Sequence, residues 1–345
     1  MKIAIHNPEH SFGKRWRLFC EANEIAYKIV DCYRSDIIQQ LHDCSGLMYH
    51  FGHRHPKDIL FAKQLMYSLE TAGKKVFPDF HTMWHFDDKV GQKYLLEAID
   101  APLVPSWVFY DKYSALDWLS AREFPVVFKL RNGAGSGNVR LVKNRTQAEK
   151  LVRKAFGRGF SQYSAWDSLY ERWRKFRLGK TTLFDVFKGV VRLVYQPEFT
   201  RVAGRERGYV YFQQFIPEND HDIRVIVIAD KAFAIKRMVR SNDFRASGSG
   251  FILYEREHFD EETVKLSFNL ANKLKAQCVA FDFVYLDGKP LVVEISYGFS
   301  PEGYDPCPGY WDADMVWHEG TFDPYGWMVE LVSVCPESTG YRKRV

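Results

Sequence analysis

The sequence has no apolar run approaching the roughly 20 residues that cross a bilayer, so no transmembrane span is expected. Behind Met1-Lys2 there is no apolar core of a leader, and no secretory signal is expected either. Cysteine is sparse. Cys20, Cys32, Cys44, Cys278, Cys307 and Cys335 show no CxxC or other ligand-like spacing. In a chain of 345 residues they read as reduced, separately packed thiols of a cytoplasmic protein. His50, His53 and His55 (MYHFGHRHP) come without the Glu of an HExxH pattern. They stand as a metal site needing a further ligand, a polar loop facing a substrate cleft, or plain surface histidines. No internal repeat or low-complexity tract is evident.

Aromatic residues make up 16% of the chain, a high share, and Tyr and Trp suit flat, half-polar binding surfaces. The net charge of +5 is unevenly spread. Residues 151–208 hold thirteen Lys/Arg against five Asp/Glu, so the basic character belongs to that segment. The first 80 residues alternate strand and helix patterns: KIAIH, AYKIVD, GLMYHF and KVFP are strands with helical spacing between them. Repeated βα units imply a small parallel sheet with helices on both faces. Phe80 to His85 reads as a connector, after which Asp87 or Asp88 caps a helix running to Ile99. The later strands (YVYFQQFI, DIRVIVIA, AFAIKRMV, AFDFVY, PLVVEI) alternate as an antiparallel sheet with one covered face does.

Three stretches carry chemistry. In AFDFVY-LDG-KPLVVEI, Asp282 and Glu294 sit on neighbouring strands, where carboxylates are costly unless paired or coordinated. They can approach one Mg²⁺, or each can pair with an arginine or cap a backbone group. In VVFKLRNGAGSGNVR, Lys129 ends an apolar strand and precedes Gly133, Gly135 and Gly137. Backbone N–H groups and the Ser136 hydroxyl can converge there on an anion, or the stretch is a glycine-rich hairpin. The GK[ST] ending of a P-loop is missing from it. In YFQQFIPENDHDIRV, a half-polar strand meets Pro217, and the unpaired backbone groups of such an edge can hold a flat base between apolar side chains.

Together and in this order the pieces resemble the ATP-grasp superfamily, on its carboxylate–amine ligase branch with the ribosomal-protein glutamate ligases. The resemblance runs from about Phe86 to Glu294. It implies an α/β (α+β) ATP-grasp fold: an N-terminal Rossmann-like pre-domain, then two α+β subdomains clasping ATP. The expected divisions are 1–85, 86–212 with an insertion near 158–208, and 213–345. Lys89 and Lys129 resemble the nucleotide-contacting lysines, and Gly135, Ser136 and Gly137 the loop over the phosphates. Gln213, Gln214, Phe215 and Ile216 resemble the hinge that reads adenine. Asp222 resembles the acid that bonds the ribose, and Lys236 belongs to the family's basic strand. Arg237, Arg240 and Arg245 are expected as catalytic cations, and Asp282, Glu294 and Ser296 as ligands of two Mg²⁺ ions. The last motif departs from the family's Glu-x-Asn, since Ser296 replaces the amide.

The resemblance implies transfer of the ATP γ-phosphoryl group to a carboxylate, then attack of an amine on the acyl phosphate. A uronic acid of a surface polysaccharide is the first acceptor considered, and a peptide or protein tail the alternative. A nucleotide-binding protein without turnover is the contrasting reading, carried by Ser296. The basic insertion reads as a helical hairpin with a solvated charged face, as an amphipathic surface helix meeting anionic lipid, as a clamp for an acidic glycan or lipid-linked substrate, peripheral to the inner membrane surface, or, last, as a nucleic-acid contact. The aromatic run from Ser296 to Gly320 either walls the acceptor pocket or covers the sheet as a packed tail.

Overall fold

Four short strands open the chain, and each is separated from the next by helix, so their pairing is parallel. β1 (Ile3–His6), β2 (Tyr27–Val30), β3 (Gly46–Met48) and β4 (Lys75–Phe77) form a sheet in the order β2-β1-β3-β4. The computed structural model describes residues 2–6, 12–52, 57–132, 138–161, 169, 172–173, 176–177, 182–194, 204–239, 244–246, 248 and 250–333, with main chain alone at 191–194. Alternation along the strands loads both faces of the sheet. Ile3, Ile5, Met48 and Phe77 pack on α1 (Phe12–Ala22), while Ala4, Leu47 and Val76 pack on α3 (Asp58–Thr71). The short α2 (Ile37–Gln40) lies between them in sequence. The expected connector holds one helical turn, α4 (Phe80–Met83), because the Asp79 side chain caps it at Thr82 N, 2.9 Å away.

α5 (Lys89–Ala98) follows, capped by Asp88 at Gly91 N. The next sheet is antiparallel, in the order β5 (Ser106–Phe109), β10 (Val210–Gln214), β6 (Val126–Lys129), β7 (Val139–Val142). α6 (Lys112–Ser120) and α7 (Arg145–Ala155) cover its apolar face. Between β7 and β10 the two-residue strands β8 (Phe160–Ser161) and β9 (Arg205–Glu206) pair and bracket the basic insertion, which contains α8 (Leu183–Val194). β10 runs through Gln214, so the change of sheet falls just beyond residue 212.

The largest sheet is antiparallel. β11 (His221–Ile228), β12 (Lys231–Met238), β14 (Cys278–Leu286), β15 (Lys289–Ser296), β16 (Gly309–Asp312) and β17 (Trp317–Glu319) lie in the order β15-β14-β11-β12-β16-β17, and β13 (Ile252–Leu253) pairs with β12. Asp287 and Gly288 make the β14–β15 turn, both at positive φ (51° and 76°), as a two-residue hairpin requires. α9 (Glu261–Leu274) covers the face carrying Val225, Val227, Phe281 and Ile295.

The opposite face departs from the expected single covered side. Its apolar half, Ile226, Ile228, Phe233 and Ile235, joins one core with the first sheet, α1 and α10 (Pro324–Ser333). α10 thus returns to the N-terminal unit. A Cβ at Gly46 would meet Val332 Cγ1 at 2.6 Å and Lys75 O at 2.5 Å, so glycine permits that approach. The aromatic run is largely packed tail: Trp311 is buried in the large sheet, and Tyr304 and Cys307 sit in the joint core.

Candidate active site

Strand register places a set of charges on the uncovered half of that face. Asp222 lies opposite Arg237, Arg224 opposite Asp282, and Asp282 opposite Glu294, so all five side chains project from one side of the sheet. Arg237 Nε and Nη2 donate to the two Asp222 carboxylate oxygens at 2.6 and 2.7 Å, and Nη2 is 3.0 Å from Asp282 Oδ1. Arg224 Nε is 3.5 Å from the same oxygen, and its Nη2 donates to Gly298 O at 3.4 Å. Burial works against ionisation of Asp282, but Arg224 and Arg237 win and hold its carboxyl below the usual value. Buried ions need such partners, since each costs several kcal/mol to strip of water unless compensated.

The facing wall comes from the central sheet and α5. Lys129 ends β6 with 4% of its surface exposed, and Lys89 opens α5, equally buried. Lys89 Nζ pairs with Glu294 Oε1 at 3.0 Å. Burial opposes its charge, yet Glu294 and Asp87 hold the ammonium above its ordinary value. Lys129 differs: among the described residues no hydrogen bond or ion pair reaches its ammonium. Burial therefore prevails and brings it down to about 8, with Lys89 adding repulsion and Glu294 and Asp282 opposing. The two lysines are fixed relative to one another through Arg131, which forms a bidentate pair with Asp88 while its carbonyl accepts from Lys89 N at 3.0 Å.

Between these walls lies a cavity of about 550 Å³. Its apolar part is made by Val127, Val139, Phe215, Ile216, Phe244 and Val293. Gln213, Gln214, Asp222 and Arg245 also border it, and Ser296 lies beside Glu294 in its wall. Gln213 serves as a tie between the sheets, because its buried Nε2 donates to Ser106 Oγ at 3.0 Å and Val293 O at 3.4 Å. The hinge loop is pinned by Asn219, whose amide bridges Tyr285 N and O at 2.8 and 2.9 Å. Asp222 is occupied by Arg237. Lys236 stands opposite Ile223, on the α9 side of the sheet, and does not border the cavity. The Ser296 hydroxyl is engaged with Gly298, accepting from its N at 3.2 Å. Gly135, Ser136, Gly137 and Arg240 lie outside the described residues, as do His53 and His55.

The far end of the cavity belongs to the parallel sheet, at the carboxyl ends of its strands, where such sheets place ligands. His6, Tyr33, Tyr49, His50 and Asp58 border it. Buried Asp58 accepts from Tyr33 Oη at 2.7 Å, Tyr49 Oη at 2.6 Å and Gly52 N at 3.1 Å. His50 stacks on Phe12 with ring centroids 3.8 Å apart. Except for His50, this group escapes sequence reasoning, since its members are spread from position 6 to 58. Arg224 had a usable signal: it is two residues past Asp222 and so shares its face.

Three carboxylates and four cations on opposed walls, beside an apolar slot, suit a ligand with a flat base and phosphates. Asp282 and Glu294, adjacent on one face and bordering the cavity, fit the oxygen-rich donor set that Mg²⁺ takes. Residues 200–304 match the RimK-like ATP-grasp domain family. Comparison with curated proteins gives no match. Among solved structures, the chain is similar to a RimK domain ATP-grasp protein from Sphaerobacter thermophilus (15% identity, 96% of this chain and 99% of that one, TM-score 0.55). It is also similar to D-alanine–D-alanine ligase from Bacillus anthracis (14%, 96% of each chain, 0.57). A third is the biotin carboxylase domain of 2-oxoglutarate carboxylase from Hydrogenobacter thermophilus, solved with MgADP and bicarbonate (14%, 100% and 70%, 0.59). At these identities the likeness is one of fold. The chain has the ATP-grasp fold, and its residues 200–304 are similar to the RimK-like ATP-grasp domain family.

Proposed function

We propose that the protein is an ATP-dependent carboxylate–amine ligase working through an acyl phosphate. The observation that carries this reading is the opposition, across one cavity, of buried Lys89 and Lys129 to the Asp222–Arg237–Asp282–Arg224–Glu294 array. Adenine would occupy the apolar slot beside Phe215 and Ile216, with the phosphates running toward Lys129. The loose phosphoryl-transfer state asks chiefly for cations and alignment, which buried, prepositioned side chains supply without reorganisation. Asp282 and Glu294 would hold Mg²⁺, which when bound neutralises phosphate charge. Asp222 keeps Arg237 extended, and Arg237 in turn keeps Asp282 ionised. Arg224 would orient the acceptor carboxylate.

In the first step the bond from the γ-phosphorus to the ADP oxygen breaks as a carboxylate oxygen bonds to phosphorus. In the second the amine nitrogen bonds to the acyl carbon, phosphate leaves with the former carboxylate oxygen, and the surplus proton goes to water. A uronic acid sugar as acceptor is supported by Tyr33, Tyr49, Phe86 and Phe299 at the far end, since aromatic faces suit sugar rings. A second reading, nucleotide binding without turnover, draws on Ser296, whose hydroxyl is engaged with Gly298.

The test is phosphate release from ATP with candidate carboxylates and amines added singly and together. Release that needs both, and is lost in Asp282→Asn, supports the ligase. ATP binding with no stimulation by any pair supports the second reading. For the glycan, unchanged uronic acid amidation in cells lacking the protein would sink that choice of acceptor.

A further inference from the structure

We propose that the exposed face of α8 docks on an anionic lipid surface. Leu183, Phe184, Phe187 and Val190 are 64%, 64%, 62% and 46% exposed. At about 100° per residue they fall within an arc of about 120°, a single apolar stripe. The inner side of the helix is already used. Val186 is buried, a Cβ at Gly189 would lie 2.9 Å from Leu169 Cδ1, and Arg172 Nη1 donates to Asp185 O at 3.1 Å. The stripe therefore faces away from the segment that α8 packs on, and nothing among the described residues covers it. Trp173, 47% exposed and with its ring centroid 5.9 Å from that of Phe176, adds a further aromatic on the neighbouring helical stretch.

Charge decides the partner. Residues 169–194 contain seven Lys/Arg against two Asp/Glu. Lys188 Nζ lies 4.5 Å from the Phe184 ring centroid, so a cation borders the stripe itself. A stripe of Leu, Phe and Val bordered by Lys188, in a segment whose sequence is rich in Lys and Arg, has the composition of helices lying in a lipid headgroup layer. With 12 residues, α8 is about 18 Å long, too short to cross and suited to lying flat. No described helix is long and apolar enough to span a membrane. A surface-bound enzyme would meet lipid-linked or membrane-proximal acceptors, but lipid docking does not depend on the ligase reading.

The experiment is co-sedimentation of the full chain, without ATP, with vesicles of phosphatidylcholine alone and of phosphatidylcholine and phosphatidylglycerol in equal shares. Binding is expected to the mixed vesicles, weakening as salt rises, because exposed charges are screened. Phe184→Ser with Phe187→Ser should lower it about tenfold or more, since a buried phenylalanine is worth about one decade or more of partitioning. Both positions are exposed, so the circular dichroism spectrum and melting curve should match wild type. Equal binding to both vesicle types, no binding to either, or unchanged binding by the double variant would overturn the proposal. So would binding to soluble polygalacturonate that outcompetes the vesicles, which would assign the face to an acidic polymer.

Discussion

Replacing Lys129 by methionine keeps most of the side chain's volume and removes its ammonium. In the folded protein Lys129 is 4% exposed, its ammonium has no ion pair among the described residues, and burial brings its pKa from 10.5 to about 8. At about 1.4 kcal/mol per pH unit, keeping the charge inside costs the fold about 3 kcal/mol near neutrality. The folded pKa lies below the unfolded one, so between pH 8 and 10.5 the unfolded chain holds the extra proton. Wild-type stability therefore rises with pH across that window. Lys129→Met should be more stable than wild type by about 3 kcal/mol at pH 7, and the gap should close as pH approaches 10.5. Denaturant unfolding at pH 7, 9 and 10.5 without nucleotide reads this directly. On the proposed function the same variant should also lose most of the thermal stabilisation that ATP gives wild type, since the cation would serve the phosphates rather than the fold. A variant less stable at pH 7, or a gap that ignores pH, would refute the reasoning.

Arg237→Met should act in the opposite direction. It strips Asp222 of two bonds and Asp282 of a close cation, costing about 3–5 kcal/mol in denaturant unfolding, the usual loss when half of a buried ion pair is removed. His85 is 1% exposed, neither ring nitrogen has a hydrogen-bond partner among the described residues, and burial brings its pKa down to about 4. It is neutral in the fold and charged in the unfolded chain between pH 4 and 6.5, so wild type should lose about 3 kcal/mol as pH falls through that range. His85→Leu should flatten the acid limb of the stability curve. Gly46→Ala should push α10 from the first sheet and lower stability by about 1–3 kcal/mol, read as a lower melting temperature.

Much of the architecture is written in local pattern. Helices between the first four strands dictate parallel pairing, and the alternation of DIRVIVIA already puts Asp222 and Arg224 on one face, which the strand register then shares with Asp282. Asp287-Gly288 specifies its hairpin by itself, because few other residue pairs accept two positive φ angles. What each charge does is not written there. Asp222, expected to bond a ribose, holds Arg237, because β11 and β12 bring the two into register and a buried arginine must be satisfied. Gln213, expected at a base, ties β5 to β15. Lys236 and Arg237 are neighbours in sequence yet project from opposite faces of β12. The aromatic grouping around Asp58, and the return of α10 to the first sheet, join residues from distant parts of the chain. Local pattern thus sets most of the longer strands, their alternation and the residue types able to hold phosphate, but not the strands of the aromatic tail, β16 and β17. Which cation is matched by a carboxylate, and which, like Lys129, has no ion pair among the described residues, depends on burial and distance and so on how the sheets pack.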